Sequence, residues 1–121
     1  MKRLIVSLVI LTGITLEAQQ FNRQSIPVMS ADEVLTVSTT SVGFTVSVYK
    51  SNTDNPARYA SCSVETNQIT VRISGGAATA SVRHVLDVGS TFEVWGTSNL
   101  DKFRMIRTGG ADATVKCSYG Q

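Results

Sequence analysis

The feature that most constrains the fold of this chain is a succession of short segments rich in β-branched residues, separated by turn-forming residues. From Val34 onward, polar and apolar side chains alternate in segments spaced about ten residues apart. Such alternation places successive side chains on opposite faces of a strand. The predicted strands cover residues 34–38, 42–49, 60–65, 69–73, 82–88, 91–95, 103–107 and 113–119. We therefore predict an all-β fold, an antiparallel β-sandwich of jelly-roll-like type with an N-terminal strand or arm.

The length of 121 residues accommodates one domain. Residues 17–33 are polar and lack strand alternation, so the boundary between an arm and a domain is best placed there. We predict an N-terminal strand or arm with its linker over residues 1–33. The β-sandwich domain is predicted over residues 34–121.

The first eighteen residues permit two interpretations. Lys2 and Arg3 precede an apolar stretch, and Ala18 precedes a polar stretch, as in a secretory signal peptide. Against cleavage, Leu16 stands three positions before the cut, where a small side chain is needed, and Glu17 lies beside it. The stretch is also shorter than the roughly 20 residues of a membrane span. We expect the segment to be retained, with signal-peptide cleavage as the alternative.

A retained segment would need covering on both faces. Residues 4–11 are apolar except at Ser7 and show no alternation. A second chain, or an arm exchanged with a neighbouring subunit, would provide that cover, and the domain's own loops are the alternative. The predicted interface residues are Leu4, Ile5, Val6, Leu8, Val9, Ile10 and Leu11, together with Trp95.

The chain carries few residues suited to catalysis. Its only histidine, His84, lies between the apolar Val82 and Leu86, which is typical of a packed or interface histidine. The acidic residues do not form pairs along a strand, and ligand spacing for a metal is missing. The net charge of +2 comes without a basic block, which argues against nucleic-acid binding. We expect no enzymatic activity, catalytic residue, cofactor or metal.

Cys62 and Cys117 both fall on the apolar faces of their predicted strands. A small hydrophobic role as free buried thiols is the favoured interpretation. A disulfide between strands is the alternative, and the sequence leaves it open.

The second half of the chain contains a series of segments in a characteristic order. The series begins with the segments at 60–65 and 69–72 and continues through 84–94. It ends with Phe103-Arg104-Met105-Ile106-Arg107 and with the segment 112–119, in a pattern of the form F-R-x-I-R followed by D-A-T, a hydrophobic residue and Y. This series resembles small structural proteins of tailed bacteriophages and prophages. It covers about residues 57–119, and its motifs are structural rather than catalytic.

This resemblance implies a non-enzymatic virion protein, most simply a capsid decoration or cement protein that coats or stabilises the particle. It would be made in the host cytoplasm and reside on the capsid surface. Its partners would be further copies of itself, with a trimer among the open symmetries, and the major capsid protein or other virion proteins. Nucleic acid and membrane are not expected as partners. A head-fibre or tail accessory protein is one alternative. The other is a secreted bacterial β-sandwich that binds a glycan or cell surface, with Trp95 as a sugar-stacking residue.

Overall fold

A computed structural model describes residues 27–79 and 84–121 of the chain. Of this part, 46% lies in strands and 11% in helices. The elements in chain order are β1 (Met29–Val37), α1 (Val46–Tyr49), β2 (Tyr59–Thr66), β3 (Ile69–Arg72), β4 (His84–Leu86), β5 (Thr91–Trp95), α2 (Thr97–Lys102), β6 (Arg104–Arg107) and β7 (Ala113–Gly120).

The strands form two antiparallel sheets. The larger sheet has the order β1-β7-β2-β5, and the smaller sheet has the order β4-β3-β6. The prediction of an all-β, sandwich-like fold is confirmed. The jelly-roll variant stays a prediction.

One hydrophobic core lies between the sheets. In the larger sheet, Leu35 lies opposite Val115 and Val37 lies opposite Ala113, and all four side chains are buried. Their period of two along each strand is the alternation visible in the sequence. The smaller sheet contributes Ile69, Val71 and Met105 to the same cluster. Burial of each such side chain stabilises the fold by about 1.5–3 kcal/mol.

Two predicted strands differ from the structure by more than two residues at an end. β1 begins at Met29, not at Val34, because the backbone of its polar first half pairs with β7 regardless of side-chain type. The alternating segment 42–49 is not a strand. Only Val42 forms a bridge, to Met105, and Val46–Tyr49 forms one helical turn. This turn buries Tyr49 in the core and leaves Val46 exposed, so tertiary packing overrides the local pattern.

Four residues, Met29, Gly120, Tyr59 and Trp95, form a row across the end of the larger sheet. Each is directly opposite the next in the strand order β1-β7-β2-β5. Residues opposite each other in antiparallel strands point to the same face. A Cβ added at Gly120 would lie 2.6 Å from the Cβ of Pro27, so the chain enters β1 across this face. β1 therefore begins on the same row as Trp95.

The predicted N-terminal strand or arm, with Leu4, Ile5, Val6, Leu8, Val9, Ile10 and Leu11, lies outside the described residues. The same holds for Val82, one of the two apolar neighbours of His84.

Candidate functional site

An apolar groove opens between β4, at the edge of the smaller sheet, and β5, at the edge of the larger one. Its volume is about 410 Å³. Its polar side chains are those of His84, Glu93 and Asn99. A concave apolar surface with a few polar groups is typical of a binding site. The apolar side chains that line this β4–β5 groove are Val71, Ile73, Leu86, Phe92, Val94, Trp95 and Phe103.

The floor of the groove is a stack of aromatic rings. Phe92 and Phe103 stack with their ring centroids 5.3 Å apart, and Phe103 stacks on Phe44 at 4.9 Å. Phe44 and Phe103 belong to the buried core. Each aromatic pair adds about 0.5–1.5 kcal/mol beyond the area that it buries. The floor is therefore a rigid part of the domain's own core.

The rim of the groove exposes large apolar side chains. Ile73 is 56% exposed and Trp95 is 41% exposed. Apolar side chains gathered around a concavity, with polar groups beside them, mark surfaces at which a protein contacts another molecule. The rim therefore has the character of an interaction surface.

Trp95 is held in place by its neighbours. Glu93 is two residues earlier on β5, and Tyr59 is opposite Trp95 on β2. The Tyr59 hydroxyl donates to Glu93 Oε1 at 2.7 Å, and Trp95 Nε1 donates to Glu93 Oε2 at 3.3 Å. The two aromatic ring centroids are 4.4 Å apart. The hydrogen bond to Glu93, together with burial, raises the pKa of Tyr59. One carboxylate thus orients both aromatic side chains.

β5 ends at Trp95, as the sequence predicts. Gly96 has φ +92°, a left-handed conformation that favours glycine, and it turns the chain into α2. From α2, Asn99 Nδ2 donates to the Trp95 carbonyl oxygen at 2.7 Å. The strand end, and with it the indole ring, is fixed by this turn.

His84 lies on β4 opposite Val71 and lines the groove. It is exposed, so it is not the packed core histidine that was one of its two predicted roles. The other predicted role, at an interface, stays a prediction.

Cys62 and Cys117 form a disulfide, so the favoured prediction of free thiols is wrong. The two residues are directly opposite each other on β2 and β7. The Val64 N–H donates to the Ser90 carbonyl, and the Gly96 N–H donates to the Arg58 carbonyl. Every second residue of β2, Cys62 among them, therefore directs its backbone N–H and C=O groups toward β5 and not toward β7. The Cys62–Cys117 pair is therefore a non-hydrogen-bonded pair, the closer kind, and its Cα–Cα distance is 4.1 Å.

Two further polar clusters involve residues that do not line the groove. The Tyr119 hydroxyl donates to Glu33 Oε1, which also accepts from the Thr45 N–H at 3.2 Å. The Tyr49 hydroxyl donates to Asp101 Oδ1, which lies 2.7 Å from Lys50 Nζ. The pKa of both tyrosines is raised, first by burial and second by the hydrogen bond to a carboxylate. The hydrogen bonds from Lys50 and Tyr49 lower the pKa of Asp101.

Of the predicted interface residues, Trp95 is the one within the described part of the chain, and it lies on the groove rim. Its role at an interface stays a prediction. Sequence reasoning missed Glu93, Tyr59 and Ile73. Glu93 was accessible from the sequence, since residues two apart on a strand share a face. The positions of Tyr59 and Ile73 depend on how strands pair and end, which the sequence pattern does not give.

Within residues 27–79 and 84–121, no three His, Cys, Asp or Glu side chains are grouped as they would be around a metal ion. In that same part of the chain, neither helix has the length and apolar character needed to cross a membrane.

No family model, curated protein or solved structure matches this chain. Its function is therefore inferred from its residues and their geometry.

Proposed function

We propose that this chain is a non-enzymatic structural protein of a bacteriophage particle, which forms a homo-oligomer and coats the capsid surface as a decoration protein. The observation that carries the proposal is the β4–β5 groove, with Trp95 and Ile73 exposed on its rim. Covering apolar surface is favourable by about 25 cal/mol per Å². A protein whose task is contact with its neighbours has a use for such a surface.

The residues that resemble phage structural proteins support this proposal because several of them belong to the buried core. In the closing segment, apolar side chains alternate inward on β6 and β7, where they join the hydrophobic cluster between the sheets. The resemblance therefore lies in residues that define the shape of the domain. These buried residues are Phe103, Met105, Ala113, Val115, Cys117 and Tyr119.

The disulfide is compatible with a protein on the outside of a particle. Disulfides persist in oxidising settings, which include virion surfaces, and are rare in the reducing cytoplasm. The Cys62–Cys117 bond joins the two central strands of the larger sheet. A decoration protein made in the cytoplasm would acquire this bond after the particles are released.

The proposal is tested with an antibody raised against the purified chain. Cells that carry its coding sequence are lysed after phage induction, and the particles are banded on a density gradient. We expect the antigen in the particle band, in many copies per particle, and gold-labelled antibody on the heads. Antigen found only free in the medium or in the cell envelope would refute the proposal. Label confined to tails or fibres would replace a decoration role with a tail or head-fibre role.

A second candidate function is favoured by the rim of the groove itself. Trp95 is half-exposed and lies beside the polar side chains of Glu93 and Asn99, which is an arrangement suited to stacking and hydrogen bonding a sugar. A secreted bacterial β-sandwich that binds a glycan or cell surface would also carry a disulfide. Mass spectrometry separates the two candidates, since this one requires a mature N-terminus at Gln19. It also requires that Trp95→Ala abolish binding on a glycan array, with Val34→Ala as the control.

A further inference from the structure

Among the described residues, the four edge strands are not equally protected against pairing with another strand. β1 has a register irregularity between Met29 and Ala31 and turns the carboxylate of Glu33 toward the inner side, where it accepts from Tyr119. On β6, Met105 exchanges two backbone hydrogen bonds with Val42. Bulges, inward charges and covering segments are devices that block an edge. The remaining edges belong to β4 and β5, and the groove lies between them.

β5 presents a regular edge. Phe92 and Val94 belong to the pairs whose backbone N–H and C=O groups form hydrogen bonds with β2. The backbone groups of the alternate residues Thr91, Glu93 and Trp95 therefore point away from β2, toward the open edge. In the part of the chain that the structure describes, one hydrogen bond reaches this edge, from Asn99 Nδ2 to the Trp95 carbonyl. An edge of this kind is a template for an added strand.

We infer that residues 4–11 of a neighbouring copy add to β5 as a strand and fill the β4–β5 groove. The inference rests on the proposed homo-oligomer and names the contact that builds it. Backbone hydrogen bonds to Thr91, Glu93 and Trp95 would give the added strand its register. Its apolar side chains would cover Ile73, Phe92 and the indole of Trp95.

The start of β1 is close enough to the groove for residues 4–11 to reach the groove of an adjacent subunit. Met29 lies on the same row as Trp95, three strand spacings or about 14 Å away. Residues 12–26 separate the segment from Pro27, and they span up to about 50 Å when extended. The linker is therefore long enough to carry residues 4–11 to the groove of an adjacent subunit.

The composition of the segment favours a neighbouring copy over the same chain. Successive residues of a strand face opposite sides. Leu4, Val6, Leu8 and Ile10 would face one side, and Ile5, Val9 and Leu11 would face the other. At the edge of its own domain, one of these faces would remain in water. Between two subunits, the groove of the neighbouring copy would cover one face of the segment, and the segment's own domain would cover the other.

The charges of the groove and of the N-terminal segment are consistent with the same arrangement. Glu93 is the acidic side chain among those that line the groove, and it is exposed. Lys2 and Arg3 immediately precede the apolar segment. A strand added antiparallel to β5 would begin at the Trp95 end, which brings these two cations near Glu93. An exposed pair of this kind contributes mainly to register and orientation.

The test uses the full chain with single substitutions. Leu8→Asp places a charge in the arm, and Ile73→Asp places one in the groove. Their matched controls are Thr12→Asp in the linker and Val34→Asp on β1, where the replaced valine is 65% exposed. Oligomeric mass is measured by light scattering against the monomer mass of 13.0 kDa. Fluorescence reports on the groove directly, because Trp95 is the only tryptophan of the chain.

We expect the unsubstituted chain and both controls to be oligomeric, with Trp95 shielded from acrylamide. Leu8→Asp and Ile73→Asp should each weaken association roughly tenfold or more, because a charge would then be buried in an apolar contact. Both should also shift the Trp95 emission to the red. Circular dichroism verifies that the variants keep the strand content of the parent.

Three results would overturn the inference. One is an unchanged mass and emission in the Leu8→Asp and Ile73→Asp variants. Another is a monomeric parent whose Trp95 emission still responds to Leu8→Asp, which indicates insertion into the same chain. The third is a native N-terminus at Gln19. An oligomer that behaves as expected but is missing from phage particles leaves the inference standing and refutes the proposed function.

Discussion

Cys62 on β2 and Cys117 on β7 are directly opposite each other and are joined by a disulfide. The bond closes a loop with a sequence separation of 55 residues. Restricting a loop of this length in the unfolded chain stabilises the fold by about 4 kcal/mol in the chain-entropy model. We predict that the double substitution Cys62→Ala, Cys117→Ala lowers the free energy of unfolding by about 2–4 kcal/mol, measured by urea denaturation.

The single substitutions Cys62→Ala and Cys117→Ala provide the control for the cross-link. Each removes the covalent bond as completely as the double substitution does. Their loss of stability should therefore be close to that of the double variant. Clearly smaller losses in both single variants would show that the side chains stabilise the core by packing alone.

Tyr119→Phe tests the contact between β7 and the inward carboxylate of β1. The Tyr119 hydroxyl, which belongs to a fully buried side chain, donates to Oε1 of the half-buried Glu33. Removing this donor leaves the carboxylate with the Thr45 N–H as its remaining described partner. We predict a loss of about 1–3 kcal/mol in the free energy of unfolding.

Tyr59→Phe is the matched control for this prediction. Its hydroxyl also donates to a carboxylate, but Glu93 is exposed and regains water when the donor is lost. We expect a loss of about 1 kcal/mol or less. Equal losses in the two variants would contradict the importance assigned to burial at Glu33.

The three tyrosines should make the fold sensitive to alkali. The folded-state pKa of Tyr49, Tyr59 and Tyr119 is raised above the ordinary value of 10.0, by burial and by hydrogen bonds to carboxylates. A raised folded-state pKa contributes stability that is complete below the unfolded pKa and is lost as the pH rises through the folded one. The free energy of unfolding should therefore fall above about pH 10.

Tyrosinate absorbance and circular dichroism, recorded together during a base titration, check this prediction. We expect tyrosine ionisation to coincide with the loss of strand signal, and to occur at lower pH in urea. Ionisation of all three tyrosines near pH 10 with the fold intact would be incompatible with the described contacts.

Gly120→Ala tests the path by which the chain enters β1. An added Cβ would lie 2.6 Å from Pro27 Cβ and 3.4 Å from both Met29 Sδ and a Tyr59 ring carbon. We predict a loss of about 1–3 kcal/mol, because the chain before β1 must move off the sheet. In the control, Gly110→Ala, the added Cβ meets no atom within 4 Å, and thermal denaturation should show a change within about 0.5 kcal/mol.

The fold class follows from residue order because strand alternation is a local property. β5 was predicted with its observed bounds, and Cys117, predicted on the apolar face of its strand, lies on the buried face of β7. The segment 42–49 alternates equally well, yet Val46–Tyr49 forms a helical turn. On a strand Phe44 and Tyr49 would face opposite sides, whereas in the structure both are buried in the core. A local pattern holds no information on that tertiary packing.

The candidate site was less accessible from the sequence than the fold. Trp95 was predicted as an interface residue at the end of a strand, and in the structure it lies on the groove rim. Its hydrogen-bond partner Glu93 follows from spacing along one strand. Tyr59 becomes its neighbour only through the pairing of β2 with β5, and Ile73 joins the same groove from the other sheet.

The sequence by itself determined the alternating strands, the inward faces that form the core and the scarcity of side chains suited to catalysis. The tertiary structure decided which strands became neighbours. Pairing register brought Cys62 to Cys117 and Tyr59 to Trp95, and the arrangement of the two sheets left β4 and β5 flanking an open groove. Alternation is set within a few residues of chain, whereas register depends on contacts between residues far apart in sequence, which form only when the whole core packs.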